Sequence, residues 1–124
     1  MAVQKIRLGI LGLGQVGGGL VEILQHKRAW FASQLGVDFE IRKIAVKNLS
    51  KKRSAKVPSH LLTTNSKMVV RDPSIDVIVE LIGGTRDARM LVSEALKNGK
   101  HIVTANKALL AEYGNEIFGL AYFV

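Results

Sequence analysis

The stretch GILGLGQVGGG, residues 9–19, is unusual because it places six glycines in eleven positions. It follows directly on an apolar run that contains Ile6, Leu8 and Ile10. Glycine weakens strands and helices alike, because it has the most conformational freedom to lose on folding. So many glycines at one junction indicate a place where side chains are excluded and a ligand can take their room.

The overall composition is that of a folded chain of one domain, over residues 1–124. Apolar residues make up 48% and charged residues 23%, with two prolines and no cysteine, as in globular proteins. The lack of cysteine excludes disulfides and thiolate zinc sites and fits a reducing compartment. No apolar stretch reaches the roughly 20 residues of a membrane helix, and residues 1–4 lack the pattern of a signal peptide. We expect a cytoplasmic protein with no membrane partner.

The net charge of +8 is concentrated in one segment. Residues 41–71 carry nine of the eighteen basic residues and no Asp or Glu, while the charges elsewhere nearly balance. A local positive field suits a phosphate-bearing ligand or an acidic partner. The same residues would also be compatible with a solvated basic loop.

Apolar runs rich in β-branched residues predict strands. The run at residues 5–11 is typical of a strand buried on both faces of a parallel sheet. The predicted strands cover residues 5–11, 39–46, 76–82 and 101–104. A further short strand and a helical turn or two are expected within residues 61–74. The number and spacing of these runs leave room for helices between most of them.

Apolar residues at helical spacing separate the strands. The first helix follows the glycines and ends at about His26. The helix after residue 84 is the best marked, with Thr85 as N-cap, Gly99 as C-cap and Met90 at the start of its apolar stripe. The last segment is again helical, interrupted at Gly114. This alternation predicts an α/β protein with a doubly wound, mainly parallel sheet and helices on both faces.

Gly12, Gly14 and Gly17 form the pattern GxGxxG between a predicted strand and a predicted helix, which is the setting of a dinucleotide-binding turn. In this interpretation Gly12 permits the tight turn, Gly14 leaves room for the pyrophosphate, and Gly17 lets helix and strand pack closely. The helix start at Gln15 and Val16 offers unpaired N–H groups and a partial positive charge to the phosphates. A glycine-rich turn that binds no ligand is the alternative.

The residues after the second strand indicate which dinucleotide is favoured. Asp38 lies 21 positions after Gly17, near the spacing of the acidic residue that binds the ribose of NAD. It precedes the strand, however, and ligands lie at the carboxyl ends of strands. Lys47 and Arg53 follow the strand and would attract a 2′-phosphate. We therefore predict that NADP is bound and preferred, with NAD also possible.

Two further segments, VELIGGTRDAR at 79–89 and NGKHIVTANKALLAEYG at 98–114, closely resemble the N-terminal part of homoserine dehydrogenases. Residues 12–20 and 44–53 match the same family in order and spacing. The resemblance implies a Rossmann-like NAD(P)-binding domain of an oxidoreductase. It also implies reversible reduction of aspartate 4-semialdehyde to homoserine, on the route to threonine and methionine, by a full-length homodimer or tetramer.

The same resemblance implies two groups of residues around the reacting end of the cofactor. Ile82, Gly83, Gly84 and Thr85 would border the nicotinamide, and Thr104, Asn106 and Lys107 would form the edge shared by cofactor and substrate. All of them occur just after strands, so they converge on one rim of the sheet. For Asn106 and Lys107 the alternative is an ordinary helix start with a solvent-exposed lysine.

The resemblance implies a second domain in the full-length enzyme that supplies proton transfer, substrate binding and the dimer sheet, and we expect residues 1–124 to be the dinucleotide-binding domain alone. We therefore assign no catalytic residue and expect dinucleotide binding with little or no turnover. His26, His60 and His101 are unclustered, which predicts no metal site and no general acid.

Three other functions remain open from the sequence. A dinucleotide-sensing regulatory domain would bind the same ligand without catalysis. An aspartate semialdehyde dehydrogenase would need a nucleophilic cysteine, which this chain lacks. A nucleic-acid-binding module could use the basic residues of 43–56, but that segment has no interleaved aromatic residues, so we expect no nucleic-acid partner.

Overall fold

The computed structural model describes residues 2–50 and 57–123. Strands and helices alternate in the order β1 (Gln4–Leu11), α1 (Gln15–His26), α2 (Arg28–Leu35), β2 (Val37–Ala45), a 3-10 turn (Ser59–Leu61), β3 (Leu62–Thr63), α3 (Ser66–Arg71), β4 (Val77–Glu80), α4 (Arg86–Lys97), β5 (His101–Thr104) and α5 (Lys107–Phe123). The strand order is β3-β2-β1-β4-β5, and all neighbouring strands are parallel. The predicted doubly wound α/β sheet is confirmed.

Helices cover both faces of the sheet. Successive residues of β1 point to opposite sides of the sheet, so neighbouring residues pack against helices on different faces. Ile10 packs in one cluster with Val21 of α1. Its neighbour Leu11 packs in the other, with Val69 of α3 and Leu91 of α4. Ile10, Val21 and Val69 are fully buried, and β1 is therefore the central strand of the core.

One helix was not predicted from the sequence, and the short strand and helix expected within residues 61–74 are present as β3 and α3, with bounds that the sequence did not give. The helix α2 (Arg28–Leu35) buries none of its residues, and Trp30 within it is 53% exposed, so no apolar stripe indicates it. The strand β3 (Leu62–Thr63) has only two residues and pairs with Ile44 and Ala45 of β2. Such short elements depend on tertiary contacts more than on local pattern.

The ends of α4 and α5 differ slightly from the prediction. The C-cap residue of α4 is Asn98, and Gly99 follows it with a φ of +76° and donates to the carbonyl oxygen of Leu96 at 3.0 Å, so the predicted glycine ends the helix, one position after the C-cap. Met90 is 54% exposed and does not belong to the buried stripe. The helix α5 has its non-helical residue at Tyr113, directly before Gly114. In the part of the chain that the structure describes, no helix is long and apolar enough to cross a membrane.

The two ends of the sheet carry different chemistry. We call the end where the strands begin the amino rim and the end where they finish the carboxyl rim. At the amino rim Arg7 donates three hydrogen bonds to Asp76, at 2.8 to 3.1 Å, and Arg28 forms an ion pair with Asp38. The buried Lys100 donates there to two backbone carbonyls of the α3–β4 connection. The carboxyl rim carries the glycine turn.

Candidate functional site

The glycine turn joins β1 to α1 at the carboxyl rim. Gly12 has a φ of +98°, a conformation that favours glycine, and a Cβ at this position would lie 3.0 Å from the carbonyl oxygen of Leu81. A Cβ at Gly17 would lie 2.8 Å from the carbonyl oxygen of Gly12. Gly14 differs from both, since its φ is −89° and a Cβ there would meet no atom within 4 Å. The chain's own packing therefore explains Gly12 and Gly17, whereas Gly14 faces open space.

The first turn of α1 is suited to an anion. Gly14 is the N-cap and accepts from the N–H of Gly18 at 2.8 Å, but it has no side chain with which to cap the helix. The first turn contains no acidic residue. Within residues 2–50 and 57–123, no side chain accepts from the N–H groups of Gln15 and Val16, and the helix dipole adds a partial positive charge. Both features favour a phosphate group at this helix end.

A cavity of about 560 Å³ opens beside the glycine turn. The loops after β1, β2 and β4 form its walls, together with the first residues of α3 and α4. Its size is in the range usual for small-molecule sites, and its position at the carboxyl ends of the strands is the one that ligands take in open α/β sheets.

The structure brings four of the predicted site residues together around this cavity. They are Gly12, Gly14, Lys47 and Ile82. Gln15, Val16 and Gly17 lie beside it in the first turn of α1. Arg53, the second cation predicted for the 2′-phosphate, lies outside the described residues.

Three of the other predicted residues, Gly84, Thr104 and Asn106, are joined by hydrogen bonds at the same rim, apart from the cavity lining. Asn106 Nδ2 donates to the carbonyl oxygen of Gly84 at 2.5 Å, and Thr104 Oγ1 accepts from the N–H of Asn106 at 3.0 Å. Thr85 is the N-cap residue of α4 but makes no capping hydrogen bond with its side chain. Lys107 is the exposed first residue of α5. Gly83 lies in the loop that follows β4, one residue before Gly84.

Sequence reasoning missed Glu80, the last residue of β4. Its side chain is fully buried, and its two oxygens accept hydrogen bonds from the N–H of Ile82 at 2.9 Å and from Thr104 Oγ1 at 2.5 Å. A single acidic residue within the apolar run 77–82 was the signal that could have found it.

Several cavity residues on α3, on α4 and in the loop before α3 were also missed. They are Thr64, Ser66, Lys67, Asp87 and Met90. The first three follow β3, whose two residues are too few for a pattern. The position of Met90 explains its exposure, because the residue lies against the cavity and not against the core.

Asp38 lies at the amino rim, as expected from its place before the strand. Arg28 Nε and Nη2 donate to its carboxylate at 2.5 and 2.9 Å, and these bonds lower the pKa of Asp38. The Asp38 carboxylate is therefore bound by Arg28 at the end of the sheet opposite the cavity. Lys47, in contrast, lies at the cavity end of β2.

Comparisons of sequence place this architecture among known proteins. The family model described as "Homoserine dehydrogenase, NAD binding domain" matches residues 12–122. The homoserine dehydrogenase of Bacillus subtilis is 43% identical over 119 residues, which are 96% of this chain and 28% of the relative. That of a Synechocystis species is 45% identical over 118 residues, 95% of this chain and 27% of the relative. The chain thus spans little more than a quarter of the length of these relatives.

Comparisons of structure agree with the sequence matches. A homoserine dehydrogenase from Thiobacillus denitrificans superimposes with a TM-score of 0.86 at 45% identity, over 98% of this chain and 28% of that one. The Staphylococcus aureus enzyme gives 0.90 at 37% identity, over 98% and 30% of the two chains. A hyperthermophilic archaeal homoserine dehydrogenase in complex with NADPH shares the fold, with a TM-score of 0.73 at 22% identity, over 97% and 41%.

Proposed function

The chain belongs to the homoserine dehydrogenase family as its NAD-binding domain, and on this premise we propose that it binds NADP in preference to NAD. The observation that carries the proposal is the open space in front of Gly14, next to uncapped helix N–H groups and a cavity lined by Lys47. A cation after the second strand favours a 2′-phosphate, which NADP has and NAD lacks.

The residues of the site fit a dinucleotide along the carboxyl rim. The first turn of α1 would hold the pyrophosphate, and Lys47 would contact the 2′-phosphate, with Lys67 on the same cavity. Ile82 and the glycines after it would border the nicotinamide. Arg53 remains a proposed contributor at the 2′-phosphate. NAD remains a second, weaker ligand in this proposal.

In the full-length enzyme, bound NADPH would supply the hydride for reversible reduction of aspartate 4-semialdehyde to homoserine. This chain would contribute binding and orientation, with Thr104, Asn106 and Lys107 at the edge shared with the substrate. We expect little or no turnover from this domain alone. The full-length protein would act in the cytoplasm as a homodimer or tetramer, in threonine and methionine biosynthesis.

Titration with NADPH, NADH and a double-stranded DNA oligonucleotide tests the binding proposal. Gly14→Asp should abolish dinucleotide binding, because the carboxylate fills the open space and repels the pyrophosphate. Aspartate is a good N-cap, so the variant should fold at least as stably as the parent, by thermal melting. Tight binding of the oligonucleotide without a dinucleotide signal would refute the proposal.

The preference for NADP is tested separately with Lys47→Glu. We expect about a tenfold loss of affinity for NADPH and little change for NADH, because a charge contact with one phosphate is lost. Lys97→Glu is the matched control, since it makes the same charge change in the last turn of α4, near the amino rim. Equal losses for both dinucleotides would contradict a role of Lys47 at the 2′-phosphate.

A further inference from the structure

Among the described residues, no ion pair explains the burial of the Glu80 side chain. A carboxyl group is costly to bury unless its oxygens are hydrogen-bonded. Glu80 has no exposed surface, and among the described residues it takes part in no salt bridge. Its two oxygens are instead used for one hydrogen bond to the loop after β4 and one to the end of β5.

These bonds belong to a closed ring that joins the two loops. Glu80 Oε2 accepts from the N–H of Ile82, and Glu80 Oε1 accepts from Thr104 Oγ1. The Thr104 hydroxyl accepts in turn from the N–H of Asn106. Asn106 Nδ2 donates to the carbonyl oxygen of Gly84, which returns to Ile82 through the backbone. The ring begins where the parallel pairing of β4 and β5 ends, with Glu80 beside Thr104.

The loop held by this ring contains two glycines in the left-handed conformation. Gly83 and Gly84 have φ of +72° and +68°, and a Cβ at either would meet no atom within 4 Å. The start of the loop is held by the bond from Leu81 N–H to Leu11 O and by the bond from Ile82 N–H to Glu80. Its far end is held by the bond from Asn106 Nδ2 to Gly84 O, so the ring fixes the loop on both sides of the two glycines.

We propose that Glu80 is a positioning residue, which acts through Thr104 and the loop after β4 to shape the nicotinamide end of the site. This inference rests on the proposed dinucleotide function. It predicts that removal of the Glu80 oxygens weakens binding of the nicotinamide half of the cofactor. The adenosine half, which lies at the glycine turn and Lys47, should bind as before.

The test compares NADPH with 2′,5′-ADP, which carries the 2′-phosphate but no nicotinamide. Glu80→Met keeps the length of the side chain and removes both oxygens. We expect about a tenfold loss of affinity for NADPH, equivalent to about 1.4 kcal/mol, and no change for 2′,5′-ADP. Glu80→Gln should restore most of the affinity, because its amide accepts from Ile82 N–H and donates to Thr104 Oγ1.

A second pair of variants tests the proposal independently in case Glu80→Met does not fold. Thr104→Val removes the hydroxyl that links the two loops, and Thr104→Ser keeps it. The valine variant should show the same selective loss for NADPH, and the serine variant should not. Asp76→Asn, at the amino end of β4, is the control for stability, since it weakens an ion pair far from the ring.

The outcomes separate the two proposals. Equal losses for NADPH and 2′,5′-ADP in the Glu80 and Thr104 variants, or no loss for either, would overturn the positioning role while leaving the binding site intact. A parent protein that binds neither ligand would overturn the proposed function and this inference with it.

Discussion

At the scale of single residues, the glycines around the first helix are required for different physical reasons. Gly12 is required by its backbone conformation and Gly17 by the close carbonyl oxygen of Gly12. Gly14 is required by neither, which is why we propose that the space in front of it is kept for a ligand. Gly19 lies inside α1 with open space around its Cβ position, and nothing in the structure explains it.

The contrast between Gly19 and Gly17 gives a stability prediction. Gly19→Ala should raise the free energy of unfolding by about 0.5–1 kcal/mol, because alanine is the better helix former and meets no neighbour. Gly17→Ala gains the same helix propensity but places a Cβ 2.8 Å from the Gly12 carbonyl, so it should lower stability. Urea unfolding of both variants measures the difference. A stabilised Gly17→Ala would show that the helix can shift away from the turn.

Asp76 gives a prediction for pH. Arg7 donates to its carboxylate from the guanidinium and from the backbone N–H, and these bonds lower the pKa of Asp76 below its ordinary value. A lowered pKa in the folded state means stability that is present above pH of about 4 and is lost as the pH falls through the folded-state value. Melting temperatures should therefore drop with acidification in this range, and less steeply in Asp76→Asn. An unchanged slope would show that Asp76 titrates alike in both states.

At the scale of secondary-structure elements, the sequence was sufficient to predict those strands and helices that have a clear local pattern and bury apolar residues. The strand β1 and the helix α1 are predicted by the apolar run and the glycines, and α4 by its caps. The helix α2 buries nothing and left no such pattern. The same holds for the candidate site. The residues that follow strands could be placed at the carboxyl rim from the sequence. The hydrogen bond of Glu80 joins it to Thr104, 24 positions away, and the place of Lys67 at the cavity follows from the pairing of β3 with β2, so no local pattern indicates either residue.

The start of α5 provides an element-scale prediction. Asn106 Oδ1 accepts from the N–H of Leu109 at 3.0 Å, and so caps the helix. Asn106→Ala should lower the free energy of unfolding by about 1 kcal/mol. Asn106→Asp keeps an acceptor for the cap but loses the donor to Gly84 O, so it should retain stability and still weaken NADPH binding. Chemical denaturation and titration of both variants distinguish the two roles, and equal stability losses would contradict the cap.

At the scale of the whole molecule, positive charge is concentrated in one segment of the sequence, and two lysines of that segment line the proposed cofactor site. Nine of the eighteen basic residues lie in 41–71, and Lys47 and Lys67 of that segment line the cavity. Charge attraction across open solvent is screened by salt. NADPH affinity should therefore fall severalfold between about 0.05 M and about 0.5 M sodium chloride, more than NADH affinity. In Lys47→Glu this difference should shrink, and identical salt dependence of both dinucleotides would speak against a 2′-phosphate contact.

The ion pairs of Arg7 and Arg28 and the buried Lys100 all lie at the amino rim, while the glycine turn and the Glu80 ring lie at the carboxyl rim. These amino-rim contacts are thus separated by the length of the sheet from the residues proposed to bind the cofactor. Substitutions among them should therefore change the melting temperature without changing the proposed preference between the two dinucleotides.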